Sequence, residues 1–156
     1  METMELSNPN KGLVYDEIRR LWVSATPEEI VRQTLIKKMI TTLSYPRELL
    51  SIERSLVDLS GTLAHKKIPN RRVDITIFAK KSTALHPLLV IECKESEGLV
   101  EEALSQVQGY NYFIKAPFIA VVHPKGEVFG YLTKEGFSYL PYLPSYEDLI
   151  RAVQNG

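Results

Sequence analysis

The run Leu88-Leu89-Val90-Ile91 passes without a break into Glu92-Cys93-Lys94. Consecutive aliphatic residues suit a strand covered on both faces, not a surface strand with one wet side. Such a strand belongs in the middle of a layered α/β domain. Here it also delivers a carboxylate and an ammonium to its own end. An unpaired buried charge costs on the order of several kcal/mol, so this strand end calls for a counter-charge or a metal ion.

The neighbouring segments fit that plan. Arg72–Phe78 alternates apolar and polar residues, and Phe118–His123 is a second buried run. Between the central strand and Phe118, the spacing of Leu99, Ala103, Leu104, Val107 and Tyr110 predicts a helix over 98–114. A strand, a helix and a second buried strand predict a parallel crossover. Thr26-Pro27-Glu28-Glu29 predicts a helix start, with Thr26 as cap, Pro27 in the first position and Glu29 three residues after the cap. Its apolar positions run to about residue 43, before Tyr45-Pro46. Residues 49–56 and 127–132 predict further strands, 57–70 a hairpin or loop, and 145–153 a closing helix. Trp22, between Leu21 and Val23, reads as packing. The expected organisation is a lead-in over 1–24 and one α/β domain over 25–156, a mixed β-sheet flanked by helices.

Composition narrows the function classes. A chain of 156 residues, 44% hydrophobic and 24% charged, suits one globular domain. Nineteen basic and nineteen acidic residues cancel, so net charge gives no warrant for a polyanionic partner. The charge is uneven, however. Lys66, Lys67, Arg71, Arg72, Lys80 and Lys81 surround Asp74 alone, which predicts either one positive patch or ordinary solvated charge. A single cysteine, Cys93, excludes a disulfide framework and a cysteine-built zinc site. No apolar run reaches about 18 residues, so no membrane partner is expected. The acidic N-terminus has no apolar secretory core, and a soluble cytoplasmic setting is expected. The dispersed glycines form no phosphate loop, so no ATP is expected.

Side chains alternate along a strand, so Glu92 and Lys94 share one face and Cys93 points to the other. Asp74, on a separate strand, can converge with Glu92. Two carboxylates make a hard oxygen site for Mg²⁺ (or Mn²⁺), which keeps several waters and takes one or two carboxylates. A lysine two residues along sits near water or a phosphate oxygen. This is equipment for phosphodiester hydrolysis, in which a metal lowers the pKa of the attacking water and cations stabilise the transition state. The plainer alternative has Glu92 and Lys94 emerging into solvent, with Asp74 paired to Arg71 or Arg72.

Asp74 followed by Glu92-Cys93-Lys94 resembles the PD-(D/E)XK nuclease superfamily. With Pro27-Glu28-Glu29-Ile30-Val31-Arg32-Gln33, Arg71-Arg72-Val73-Asp74-Ile75 and Gln106-Val107-Gln108-Gly109-Tyr110, the chain resembles the N-terminal nuclease domain of type I restriction enzyme R subunits over about residues 25–132. Val73 stands where the motif name has proline. The resemblance implies a restriction-endonuclease-like core. It makes Asp74 and Glu92 metal ligands with the Cys93 carbonyl, Lys94 catalytic, and Gln106 and Tyr110 groups that position DNA or the catalytic residues. It also implies an acidic contribution from the first helix through Glu29. That residue is equally explained by its capping box, and Glu53 is a rival. Arg32 and Gln33, one turn on, are read as contacting phosphate or holding the acidic cluster. Lys66, Lys67, Arg71 and Arg72 would meet the DNA backbone.

The expected function is a Mg²⁺-dependent deoxyribonuclease acting without a helicase motor, as a homodimer or with partner subunits. A catalytically weak nucleic-acid-binding or scaffold module with the same fold is the alternative. A nuclease-fold protein acting on RNA or a nucleotide is a third reading. His65, His86 and His123 show no metal spacing.

Overall fold

Leu88–Ile91 lie buried in the middle of a six-stranded sheet, within strand β5 (Ala84–Cys93). The computed structural model describes residues 11–61 and 67–155. Around β5 the chain forms β1 (Leu13–Asp16), β2 (Leu21–Ser24), α1 (Pro27–Thr41), β3 (Leu50–Ser55), α2 (Leu56–Ser60), β4 (Arg72–Lys81), α3 (Val100–Ile114), β6 (Phe118–His123), β7 (Gly126–Thr133), β8 (Gly136–Leu140) and α4 (Tyr146–Asn155). The sheet order is β3-β4-β5-β6-β7-β8, and β1 and β2 make a separate antiparallel hairpin. Among the described strands only β5 and β6 pair in parallel, across the crossover through α3. The other neighbours are antiparallel. This is a mixed sheet flanked by helices, consistent with a restriction-endonuclease-like core. No helix among the described residues is long and apolar enough to cross a membrane.

The alternation along β5 divides the core. Leu89, Ile91 and Cys93 pack with Val31, Leu35, Ile36 and Met39 of α1 and with Leu149 of α4. Val90 packs on the opposite side with Ala103, Val107 and Tyr110 of α3. Burying each aliphatic side chain contributes about 1.5–3 kcal/mol, so both faces of β5 are heavily committed. Glu92 follows Ile91 at the end of β5 and is 4% exposed.

Helix α1 carries a stripe that changes character along its length. Glu29, Arg32 and Gln33 are buried near its start, and Leu35, Ile36 and Met39 further on. The apolar part seats the helix on the sheet. The polar part is thereby brought over the ends of the strands.

Several expectations are corrected. Helix α1 stops at Thr41, where the Thr42 N–H closes onto the Lys38 carbonyl and Ser44 adopts a positive φ of 58°. Part of the expected loop is α2, capped by Ser55, whose hydroxyl accepts from the Asp58 N–H. The expected lead-in contains the β1–β2 hairpin. Trp22 is not core: it is 46% exposed and meets Tyr15 edge-on at 5.2 Å. Strand β8 was not expected, being short and half-buried. The basic cluster is split by the length of β4, roughly 30 Å at about 3.3 Å per residue. Arg71 and Arg72 stand at one end, while Lys80 and Lys81 join Lys115 and His86 around a 610 Å³ cleft at the other. Lys66 and His65 lie outside the described residues.

Gly130 in β7 is a position where a side chain cannot enter freely. A Cβ there would come within 2.9 Å of Ile119 Cγ1 and 3.0 Å of Tyr139 Cε1. Gly130→Ala is therefore expected to destabilise the fold by about 1–3 kcal/mol through overpacking. Urea denaturation checks this, and an unchanged midpoint would mean that β7 and β8 shift without cost.

Candidate active site

The backbone ladder between β4 and β5 has its last pair at Ile75 and Ile91. Beyond it, side chains take over. The Cys93 N–H donates to Asp74 Oδ2 at 2.7 Å, and the Asp74 N–H points to Glu92 Oε1 at 3.4 Å. Asp74 is 7% exposed and Glu92 4%. The antiparallel register makes them cross-strand neighbours, so the two acids converge where the strands part. The alternative that Asp74 pairs with Arg71 or Arg72 is not what is found: its charged partner is Arg32, with Nη1 3.5 Å from Oδ1.

Burial dominates the electrostatics of the pair. It pushes Asp74 up to about 6, against the Cys93 N–H and the Arg32 charge, which favour the carboxylate. Burial and then the neighbouring Asp74 charge push Glu92 up to about 8, with Lys94 opposing. Two acids taken out of water side by side, with few donors, hold protons more tightly than usual because like charges crowd there. The donor set is hard oxygen, and a divalent cation would relieve both burial and repulsion. Asp74, Glu92 and the Cys93 carbonyl are the groups that could hold one. Among the described residues no group of three or more His, Cys, Asp or Glu side chains is arranged to hold a metal ion.

Lys94 follows directly on β5, and its N–H continues the parallel ladder to the Val122 carbonyl at 2.8 Å. Its side chain is half-buried on the Glu92 side. The Cys93 thiol is fully buried in the other core, where burial pushes its proton affinity up. Tyr110, 7% exposed on α3, receives the Gln106 amide at 2.6 Å. Burial first, then the charges of Glu92 and Asp74, raise the Tyr110 hydroxyl, while the Gln106 bond and Arg71 lower it. Gln106 and Tyr110 thus form a bonded pair on α3, with Tyr110 close enough to the acid pair to feel its charge. Arg71, Arg72 and Lys67 are exposed.

Glu29 and Arg32 form a second centre beside the first. The Thr26 hydroxyl caps α1 by accepting from the Glu29 N–H at 3.1 Å, but the Glu29 carboxylate does not close a capping box. It turns to Arg32, Gln33 and Arg19 instead. Arg32 also donates to Glu53 Oε1 at 2.8 Å. Burial would raise Glu29, but the bonds from Arg32 and Gln33 outweigh it and hold the carboxyl below its ordinary range. Arg32 and Gln33 are each 8% exposed, and both donate to the Glu29 carboxylate. The Gln33 carbonyl oxygen is buried without a donor among the described residues.

Glu53 faces Asp74 from β3. Its neighbours Ile52 and Arg54 pair with Ile75 and Val73, while Glu53 itself takes a φ of +56° and drops out of the ladder. A non-glycine residue in that region stores about 1–3 kcal/mol of strain. The Arg72 guanidinium donates to the freed Glu53 carbonyl at 2.9 Å. A cleft of about 350 Å³ lined by Thr26, Pro27, Glu28, Glu29, Arg32 and Glu95 opens beside this centre. The spacing of Glu29, Arg32 and Gln33 on one helix face signalled the local part of this cluster, but not the reach of Arg32 to Glu53 and Asp74.

Residues 27–144 match the family model for the type I restriction enzyme R protein N terminus (HSDR_N). The chain belongs to this family. No curated protein matches it. The HSDR_N span takes in α1, β4 and β5 with the acid pair, and the Gln106–Tyr110 helix face. The β1–β2 hairpin lies ahead of it. Membership relates the chain to restriction nucleases.

Proposed function

We propose that this HSDR_N chain is a divalent-cation-dependent deoxyribonuclease of the PD-(D/E)XK type. The observation that supports it best is the buried Asp74–Glu92 pair at the parting of β4 and β5, short of donors and flanked by Lys94. Asp74, Glu92 and the Cys93 carbonyl would hold Mg²⁺ or Mn²⁺. When bound, the cation supplies Lewis acidity toward the phosphate and lowers the pKa of water. Lys94 holds a phosphate oxygen and opposes the charge that builds as the water oxygen bonds to phosphorus and the sugar oxygen leaves. Gln106 and Tyr110 set the edge of the site, and Arg71, Arg72 and Lys67 meet the backbone.

Supercoiled plasmid incubated with the chain and Mg²⁺ or Mn²⁺ is expected to be nicked, and EDTA to stop it. Plasmid that stays intact under all metals would remove the nuclease reading. Replacing Arg71 and Arg72 together by alanine is expected to weaken binding to duplexes of any sequence alike. It should also lower the slope of log K against log salt by about 2, near 0.9 per lost phosphate contact. Fluorescence anisotropy across a salt series reads the slope, and an unchanged slope would take these arginines off the DNA.

A further inference from the structure

We propose that Arg32 is the resident cation of this site. It keeps Glu29 and Glu53 out of the metal's ligand set, so that the chain takes one divalent ion, on Asp74 and Glu92, and not two. The inference rests on the divalent-ion reading above and deepens it.

The warrant is the saturation of Glu29. A carboxylate offers about four lone-pair directions. At Glu29, Oε1 accepts from Arg32 Nη2 and from Arg19 Nη2 (3.3 Å), and Oε2 accepts from Arg32 Nε (2.9 Å) and Gln33 Nε2 (3.0 Å). Every direction is used. The grip of Arg32 is bidentate, the arrangement in which a planar guanidinium fits a carboxylate best. A metal bound at Glu29 would first have to displace a buried donor. The remaining Arg32 nitrogen, Nη1, takes Glu53 Oε1 at 2.8 Å and reaches Asp74 Oδ1 at 3.5 Å. One buried guanidinium therefore serves carboxylates from α1, β3 and β4. It fills the space between them with positive charge, where a second metal would otherwise sit.

The contrast with the other acids is what makes this a division of labour. Among the described residues Asp74 Oδ2 and Glu92 Oε1 receive only backbone N–H groups. Glu29 is held by Arg32, and Glu53 is turned toward it by a strained backbone. The four acids are thus split between an internal cation and an external one.

Calorimetric titration of the full chain with Mn²⁺ alone tests the split. The unaltered chain is expected to take one equivalent. Glu29→Gln and Glu53→Gln are expected to keep that stoichiometry and to hold Kd within about threefold. Arg32→Gln, verified as folded by circular dichroism, is expected to take a second equivalent on the carboxylates it frees. Two equivalents in the unaltered chain, or a loss of about tenfold or more in Glu29→Gln or Glu53→Gln, would overturn the proposal. So would a folded Arg32→Gln that still takes one. If Arg32→Gln does not fold, the two glutamine variants decide the matter. No Mn²⁺ uptake by the unaltered chain would instead remove the divalent-ion reading, and this inference with it.

Discussion

Lys94→Ala is expected to lower DNA cleavage by about 10²–10⁴-fold, the range for a positioned acid–base or charge-stabilising group, while Mn²⁺ uptake stays close to that of the unaltered chain. In the proposed reaction Lys94 would touch the phosphate but contribute no oxygen to a metal, so rate and metal affinity should separate. Asp74→Asn is expected to lose both, because it removes one of two buried carboxylates at the parting of β4 and β5. Single-turnover nicking combined with Mn²⁺ calorimetry distinguishes these outcomes. Equal cleavage by all three proteins would point to a contaminating nuclease and end the assignment of the site.

Glu92→Gln is expected to make the metal-free protein more stable, not less. Asp74 and Glu92 hold protons up to about pH 6 and 8, above their ordinary 3.8 and 4.5, because of burial and of each other. Between those limits the folded chain binds more protons than the unfolded chain, so stability falls as pH rises from about 4 to about 8. The folded state carries the full cost of the ionised pair only above pH 8. A glutamine removes one ionisation and the repulsion with it. The gain at pH 8.5 should be on the order of a few kcal/mol, or about 5–10 °C in Tm, and should shrink toward zero near pH 4.5. Mn²⁺ should act the other way. At a hundred times its Kd it stabilises the unaltered chain by about 2.7 kcal/mol, and it should do nothing for Glu92→Gln. Differential scanning fluorimetry over this pH range, with and without Mn²⁺, checks both halves. A variant that melts lower than the unaltered chain at every pH would show that Glu92 is a structural acid.

The large elements were legible because each wrote its environment into its own sequence. Leu88–Ile91 could only be covered on both faces, and Thr26-Pro27 could hardly be anything but a helix start. The stripe through Ala103, Val107 and Tyr110 reported one buried face, which α3 indeed turns to the sheet. Strand β8 was opaque because Gly136–Leu140 is short and half-exposed, with no strong alternation. Trp22 misled because an aromatic between apolar neighbours suggests a core. On a small two-stranded hairpin it meets Tyr15 edge-on and stays 46% exposed. The acid pair was readable from strand alternation. The reach of Arg32 beyond its own helix was not, because its partners at 53 and 74 lie on other elements and no local spacing reports them. The positive φ of Glu53 was equally hidden, since nothing about a glutamate announces that conformation.

The hairpin ahead of the HSDR_N span is wired into this network. Asp16, fully buried at the end of β1, accepts from the Ile18 and Arg19 backbone N–H groups and from the Arg19 guanidinium, which in turn reaches Glu29. A shortened protein cut at the family boundary, residue 27, would retain all strands of the large sheet. It would nonetheless leave Glu29 with one guanidinium where two now stand, so the natural unit for expression and for grafting begins before β1.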